Sequence, residues 1–392
     1  MARWTLLTAT LLVLASAQSV PKEPKDFPQH LSSPQYELYT NGTKEQAQEL
    51  SDFMELVHDT YVALLRPEDP KAADKKSDVL MYKSNEDYLA SGAPQGSGAY
   101  YSLQSKRLVG WFDEYFMRNF FAHEGMHQFT DLTSKSFQDF AMWFTEGIAD
   151  CIGNSEVKNK KLYMCRKSGV IARMRLPVVQ GAVKQKKHWS LTELFKLSQR
   201  QFMDPKNVDL AYSQSWSFCH FLMAYPDFED KDSQIPNGKY RKNLAIYYET
   251  MRPGGVKHDD AWAKAFTAQG IPLDKLQKEW EEYILKMDAG KFMGFQGAEL
   301  PEADADKLGF DKQKTGIKVD KLVDDGAGKK GGMMEGDVIK SFDGRLFPRK
   351  TAMNALRSWM QDVPYGRAVK VVVLRDGKDV ECLCKWDEPK KK

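Results

Sequence analysis

The stretch His123-Glu124-Gly125-Met126-His127 constrains this chain more than any other. It reads H-E-x-x-H. On an α-helix, positions i and i+4 share a face, so His123 and His127 can offer two imidazoles to one metal ion. Glu124 sits beside that pair, placed to act on a water molecule rather than as a ligand. Zinc suits such a site, because catalytic zinc keeps three protein ligands and one open position. An ordinary amphipathic helix can carry the same pattern, so a third ligand has to be found. Trp143-Phe144-Thr145-Glu146-Gly147-Ile148-Ala149-Asp150 offers one. Eighteen residues separate His127 from Glu146, enough for a loop and a returning helix. Asp150 follows Glu146 by one helical turn and can accept a hydrogen bond from a ligand imidazole, fixing its tautomer. A three-histidine site would need glycine at position 130 and histidine at 133, where the chain has Thr130 and Thr133.

H-E-x-x-H followed by Trp-Phe-x-Glu-Gly resembles the gluzincins, zinc peptidases of the MA-like superfamily. The likeness is strongest to secreted bacterial members of uncharacterised activity. A second likeness is to the glycyl-aminopeptidase type, which carries a C-terminal PDZ domain. The matching motifs cover about residues 120–150. The resemblance implies Zn²⁺ as cofactor, His123, His127 and Glu146 as its ligands, and Glu124 as general base. It also implies a Tyr or His downstream that donates to the oxyanion. Tyr212 is the first choice, with His188 and His220 as rivals. Residues 98–102 would be the edge strand that pairs with the substrate backbone. Aminopeptidases of this superfamily carry an acid in this region, but no Asp or Glu lies between Asp87 and Asp113. An endopeptidase therefore fits at least as well.

The first 17 residues read as a signal peptide: Arg3, an apolar run from Leu6 to Leu14, and the small-x-small site Ala15-Ser16-Ala17. A membrane span needs about 20 apolar residues, so the run is too short and no later stretch qualifies. A secreted or periplasmic protein without stable membrane insertion is expected. With 57 basic and 54 acidic side chains, the net charge of +3 gives no reason to expect nucleic acid as a partner. Of five cysteines, Cys151 and Cys165 could pair. Cys382 and Cys384 share one strand face and are poor partners for each other, and Cys219 reads as a buried helix residue.

The fold expected is α+β. A gluzincin-like domain over 18–297 would hold a small mixed sheet plus helices, with a helical C-terminal half. Leu50, Phe53, Met54, Val57, Tyr61 and Leu64 form a core-facing stripe. Tyr212, Trp216, His220 and Met223 form another, and helix signals recur at 239–251, 257–268 and 273–287. Gly290, Gly294, Gly297 and Pro301 break the helical pattern and read as a boundary. From about 305 the period shortens to strands. Gly336-Asp337-Val338-Ile339 with Asp343-Gly344 resembles a bacterial-protease PDZ domain, a β-barrel-like unit over 305–387 with a basic tail over 388–392. That resemblance implies Leu308-Gly309-Phe310 as the loop that binds a peptide carboxylate, with residues 353–360 as the groove helix. Two functions fit: a secreted zinc peptidase acting on a peptide or protein substrate with a PDZ ligand peptide, or a non-catalytic PDZ-containing binding protein whose zinc site is structural or decayed.

Overall fold

A computed structural model describes residues 26–66, 76–113, 116–166, 169–228, 233–288, 290–323, 326–349 and 352–388. The signal segment 1–17 and the tail residues 389–392 lie outside them. The chain divides into two units, Met1–Met287 and Asp288–Lys392.

The first unit starts with strands β1 (Gln29–Ser32) and β2 (Tyr36–Thr40), then helix α1 (Lys44–Leu65). Thr43 begins α1 with a capping box: its hydroxyl accepts from Gln46 N–H, and the Gln46 side chain reaches back to the Thr43 N–H. The expected stripe Leu50, Phe53, Met54, Val57, Tyr61 and Leu64 is buried. Strand β3 (Ser77–Tyr82), helix α2 (Asn85–Ala90) and strands β4 (Ala99–Ser102) and β5 (Arg107–Trp111) follow. The sheet order is β1-β2-β3-β5-β4, parallel in the middle pairs and antiparallel at both ends. Strand β4 is therefore an edge.

Helix α3 (Met117–Thr133) carries the H-E-x-x-H motif and α4 (Met142–Gly153) carries Glu146 and Asp150. Both are buried around most of their circumference, so they form the centre of the unit rather than its surface. After a small hairpin of β6 (Glu156–Lys158) and β7 (Lys161–Tyr163), the chain is helical: α5 (Val170–Lys184), α6 (Leu191–Phe195), α7 (Gln199–Phe202), α8 (Val208–Ala224), α9 (Arg241–Met251), α10 (His258–Ala265) and α11 (Leu273–Lys286). Helix α8 packs along α4. The fit needs Gly147, where a Cβ would strike the backbone oxygen of Ser215. No helix among the described residues is long and apolar enough to cross a membrane.

The second unit begins at Asp288. Residues read from their glycines as connecting chain form strand β8 (Phe295–Glu299), which pairs antiparallel with β10 (Ile317–Leu322). Between them lie α12 (Glu302–Lys307) and β9 (Lys314–Thr315); then come α13 (Ala327–Lys330), β11 (Val338–Phe342), β12 (Arg345–Pro348), α14 (Ala352–Asp362), β13 (Ala368–Arg375) and β14 (Lys378–Lys385). The sheet runs β14-β13-β11-β10-β8, with β12 and β9 off the path. It ends at β14 and β8 without closing, so the barrel-like unit expected is an open sheet among the described residues. Met293, Phe295, Ile317, Val371 and Cys384 belong to one core. The periodicity misses β8 because Gly294 and Gly297 mask a strand only five residues long.

All five cysteines are free and buried. Cys151 and Cys165, which could pair, form no disulfide. Cys151 Sγ is instead 3.5 Å from the carbonyl of Trp216. Burial, then the neighbouring Cys165 thiol, pushes Cys151 well above the ordinary thiol range.

Candidate metal centre

Helices α3 and α4 bring His123, His127 and Glu146 together with one donor atom each, all within 4.8 Å of one another. The two Nε2 atoms are 3.2 Å apart. Glu146 Oε2 lies 3.3 Å from His123 Nε2 and 3.6 Å from His127 Nε2. Gly125, between the histidines, allows this approach: a Cβ there would lie 2.6 Å from the Tyr61 hydroxyl, which is donated to Ala122 O. The helix thus lies directly on α1.

Two imidazole nitrogens and one carboxylate form a donor set that suits zinc. The fit is supported by what these atoms lack. Glu146 is fully buried, and neither of its oxygens accepts a hydrogen bond, although both imidazoles stand within ion-pair distance; His127 Nδ1 also has no hydrogen-bond partner. A buried carboxylate without hydrogen bonds is costly unless a cation takes its charge. Burial raises a carboxylate, but the charges of His127 and His123 outweigh it and hold Glu146 at about 2.

Asp150, one turn beyond Glu146 on α4, contacts both His123 and Arg175. Its Oδ1 lies 3.0 Å from His123 Nδ1, turning Nε2 toward Glu146. Its Oδ2 accepts from Arg175 Nε at 2.9 Å. Burial disfavours a charged His123 ring, yet Asp150 and Glu146 overcome this and push it up to about 10. Arg175 is the residue that sequence reasoning missed. It arrives from α5, 25 residues beyond its carboxylate partner, and no local pattern marks it.

Glu124 follows His123 on α3 and reaches the edge of the sheet. Its Oε2 accepts the Tyr101 N–H of edge strand β4 at 2.9 Å. Burial, opposed by the two histidines, raises Glu124 above the usual carboxylate range. A carboxyl so raised holds a proton more readily than an exposed one.

Tyr212 is placed in an apolar cluster with Phe202. Its hydroxyl lies 4.0 Å from Met203 Sδ, and the Arg175 guanidinium sits 4.7 Å over its ring. Tyr212 thus meets the ligand set through Arg175 and Asp150. The oxyanion role expected of it requires its hydroxyl to turn away from Met203. His188 contacts Glu281 at 3.0 Å, and His220 lies between Cys165 O and the Tyr283 hydroxyl.

In the second unit Leu308-Gly309-Phe310 is not a free loop. The three N–H groups donate to Asp304 O, Asp306 O and Ala305 O, and Gly309 has φ of 76°. This is the C-terminal cap of α12, where a left-handed glycine closes the helix. The N–H groups expected to hold a peptide carboxylate are thus taken up within this cap. Another apolar-Gly-Phe segment, Phe292-Met293-Gly294-Phe295, leads into edge strand β8. The carbonyls of Phe292, Met293 and Gly294 accept from Trp386 Nε1, Gly328 N–H and Val323 N–H. A planar trans peptide opposes its C=O and N–H. The N–H groups of Met293, Gly294 and Phe295 therefore point away from those donors.

A family model described as a protein of unknown function, DUF1570, matches residues 119–233. A probable periplasmic serine endoprotease, DegP-like, from Rickettsia prowazekii (strain Madrid E) is 33% identical over 115 residues, 29% of this chain. The match spans only 20% of that protein's own length. Among solved structures, an aminopeptidase N family protein from Idiomarina loihiensis aligns with 92% of this chain and 67% of its own, at 12% identity and a TM-score of 0.40. The HtrA3 PDZ domain bound to a phage-derived ligand aligns with 24% of this chain and 83% of its own, at 17% identity and a TM-score of 0.19. These similarities are to peptidases and to a peptide-binding domain of one.

Proposed function

We infer that this chain is an exported zinc peptidase whose second unit binds peptide. The observation that carries the reading is the convergence of His123, His127 and Glu146 on one point, with Glu146 buried and accepting no hydrogen bond. A zinc ion held there supplies Lewis acidity, acidifying a water molecule and polarising a carbonyl. The chain's own residues do the rest. Asp150 holds the His123 ring in the tautomer that presents Nε2. Glu124 takes a proton from the attacking water and returns it to the leaving amine. The Tyr101 N–H holds the Glu124 carboxylate beside the edge of the sheet, where a substrate backbone can add as a further strand.

In the second unit, β8 is the strand a peptide would join, and the N–H groups of residues 293–295 would receive its terminal carboxylate. The other reading, a binding protein with a structural zinc, calls for four protein donors. Among the described residues three come together. The test is metal analysis of the purified chain together with cleavage of a mixed peptide library. One equivalent of zinc and cleavage abolished by chelator, then restored by zinc, is the expected result. Zinc without cleavage would leave the structural reading.

A further inference from the structure

Beside the candidate metal centre is a cleft of about 360 Å³ formed by two stretches of the first unit, residues 137–145 and 197–199. That volume sits at the lower end of the roughly 300–1,000 Å³ of small-ligand pockets, room for one or two residues of a peptide. One wall is the 3-10 turn at Phe137–Asp139 and Phe140, the floor is the start of α4 at Met142 and Thr145, and the far rim is Leu197 and its neighbours before α7.

Two observations tie the cleft to the metal-binding residues. Met142 precedes Glu146 by one turn of α4, so both lie on the same helix face. The Phe137 ring stands edge-on to the His127 ring, with centroids 5.8 Å apart. The walls are also fixed. Phe140 stacks on Phe144 and Tyr248 at 5.5 and 5.6 Å. Asp139, at the end of the turn, accepts the Gly255 N–H at 2.7 Å.

The chemistry of the lining decides what fits. It combines aromatic and aliphatic side chains with the uncharged groups of Gln138, Thr145, Ser198 and Gln199, and among the described residues no charged one lines it. A charged side chain entering would lose water and meet no counter-charge, which is costly. A neutral apolar one would bury its surface against Phe137, Phe140, Met142 and Leu197.

We propose that this cleft receives one apolar side chain of the peptide, so that cleavage falls beside residues such as Phe, Leu or Met and not beside charged ones. This rests on the peptidase reading, and the experiment separates the two. Binding of N-acetyl-phenylalanine amide, N-acetyl-lysine amide and N-acetyl-glutamate amide to the full chain is measured by ligand-observed NMR, both with chelator and with zinc. The phenylalanine amide should bind in both states and the charged amides at least tenfold more weakly. Filling the cleft from its exposed rim with Gln138→Trp, or from its far side with Leu197→Trp, should weaken the phenylalanine amide tenfold or more. Thermal unfolding identifies any variant that fails to fold, and Gln138, being exposed, is the one expected to tolerate the change. Equal binding of the three amides, or binding untouched in a folded filled variant, overturns the proposal. Zinc-dependent library cleavage without an apolar bias overturns it too and leaves the peptidase standing. Selective amide binding with no cleavage at all keeps the side-chain pocket and removes the peptidase.

Discussion

At the scale of single residues, the metal centre is a chain of buried partners whose roles can be separated. Glu124→Gln keeps the ligands and removes the base. It should retain zinc, as metal analysis would show, while kcat falls about 10²–10⁴-fold, the usual worth of a general base. Unchanged turnover would mean that another group moves the proton. Arg175 acts through Asp150, from a position 4% exposed. Arg175→Met leaves a buried carboxylate with His123 alone and should cost about 3–5 kcal/mol of stability in a urea titration. His123 gives the pH dependence. In the metal-free chain its pKa is raised to about 10 from an ordinary value of 6.5. Its contribution to stability is therefore complete below 6.5 and lost as pH rises toward 10. Glu146, lowered to about 2, contributes above its ordinary 4.5 and loses that as pH falls through 2. With chelator the melting temperature should fall between pH 6.5 and 10; with zinc, which requires a neutral imidazole, that fall should shrink. The cluster of His123, His127 and Glu146 was legible because i,i+4 spacing is local and a third donor followed within one helix-loop-helix. Arg175 was not, because only the packing of α5 against the site brings it to Asp150. Tyr212 read equally as stripe and as oxyanion donor, since spacing cannot say where a hydroxyl points. Its placement beside Met203 favours packing: Tyr212→Phe should leave kcat within a factor of a few, and a loss of 10² or more would restore the oxyanion role.

At the scale of elements, the position of α4 is what makes a centre of two helices. Glu146 and Asp150 ride on one face, and Gly147 lets the adjoining side come against α8. A methyl group at Gly147 would run into backbone at Ser215, which cannot swing aside as a side chain can. Gly147→Ala should therefore cost about 1–3 kcal/mol through overpacking, and zinc affinity should fall with it because both carboxylates move with the helix. Thermal unfolding and a competition titration against a zinc chelator would measure the two. An unchanged melting temperature would show that α4 and α8 are looser than drawn. The helices themselves were readable from apolar spacing, and capping boxes at Thr43 and Ser190 mark two of their starts. The loop expected to bind a carboxylate has a near twin in sequence. Leu308-Gly309-Phe310 and Met293-Gly294-Phe295 are the same kind of tripeptide, each with a left-handed glycine, φ 76° and 84°. One closes α12 and the other enters a sheet edge. The difference lies in the partners Val323, Gly328 and Trp386, which are remote in sequence.

At the scale of the whole molecule, the division at residues 287 and 288 decides what each part needs in order to fold. A cut at 305, where the strand period becomes obvious, removes β8. That strand covers β10 over Ile317 to Leu322, and Met293 and Phe295 come away from the core with it. Burying two such side chains is worth roughly 1.5–3 kcal/mol each. Losing both, with the ladder hydrogen bonds of β8, takes away much of the stability of a domain of about 100 residues, which is of order 5–15 kcal/mol. A fragment over 288–392 should therefore unfold cooperatively in urea, while one over 305–392 should show little or no transition under the same conditions. The same strand is the one a peptide would join, so the shorter fragment should also lose any affinity for peptides with a free C-terminal carboxylate. If the 305–392 fragment proved as stable as the longer one, β8 would be an appendage rather than part of the core, and the edge assigned to peptide binding would have to move to β10.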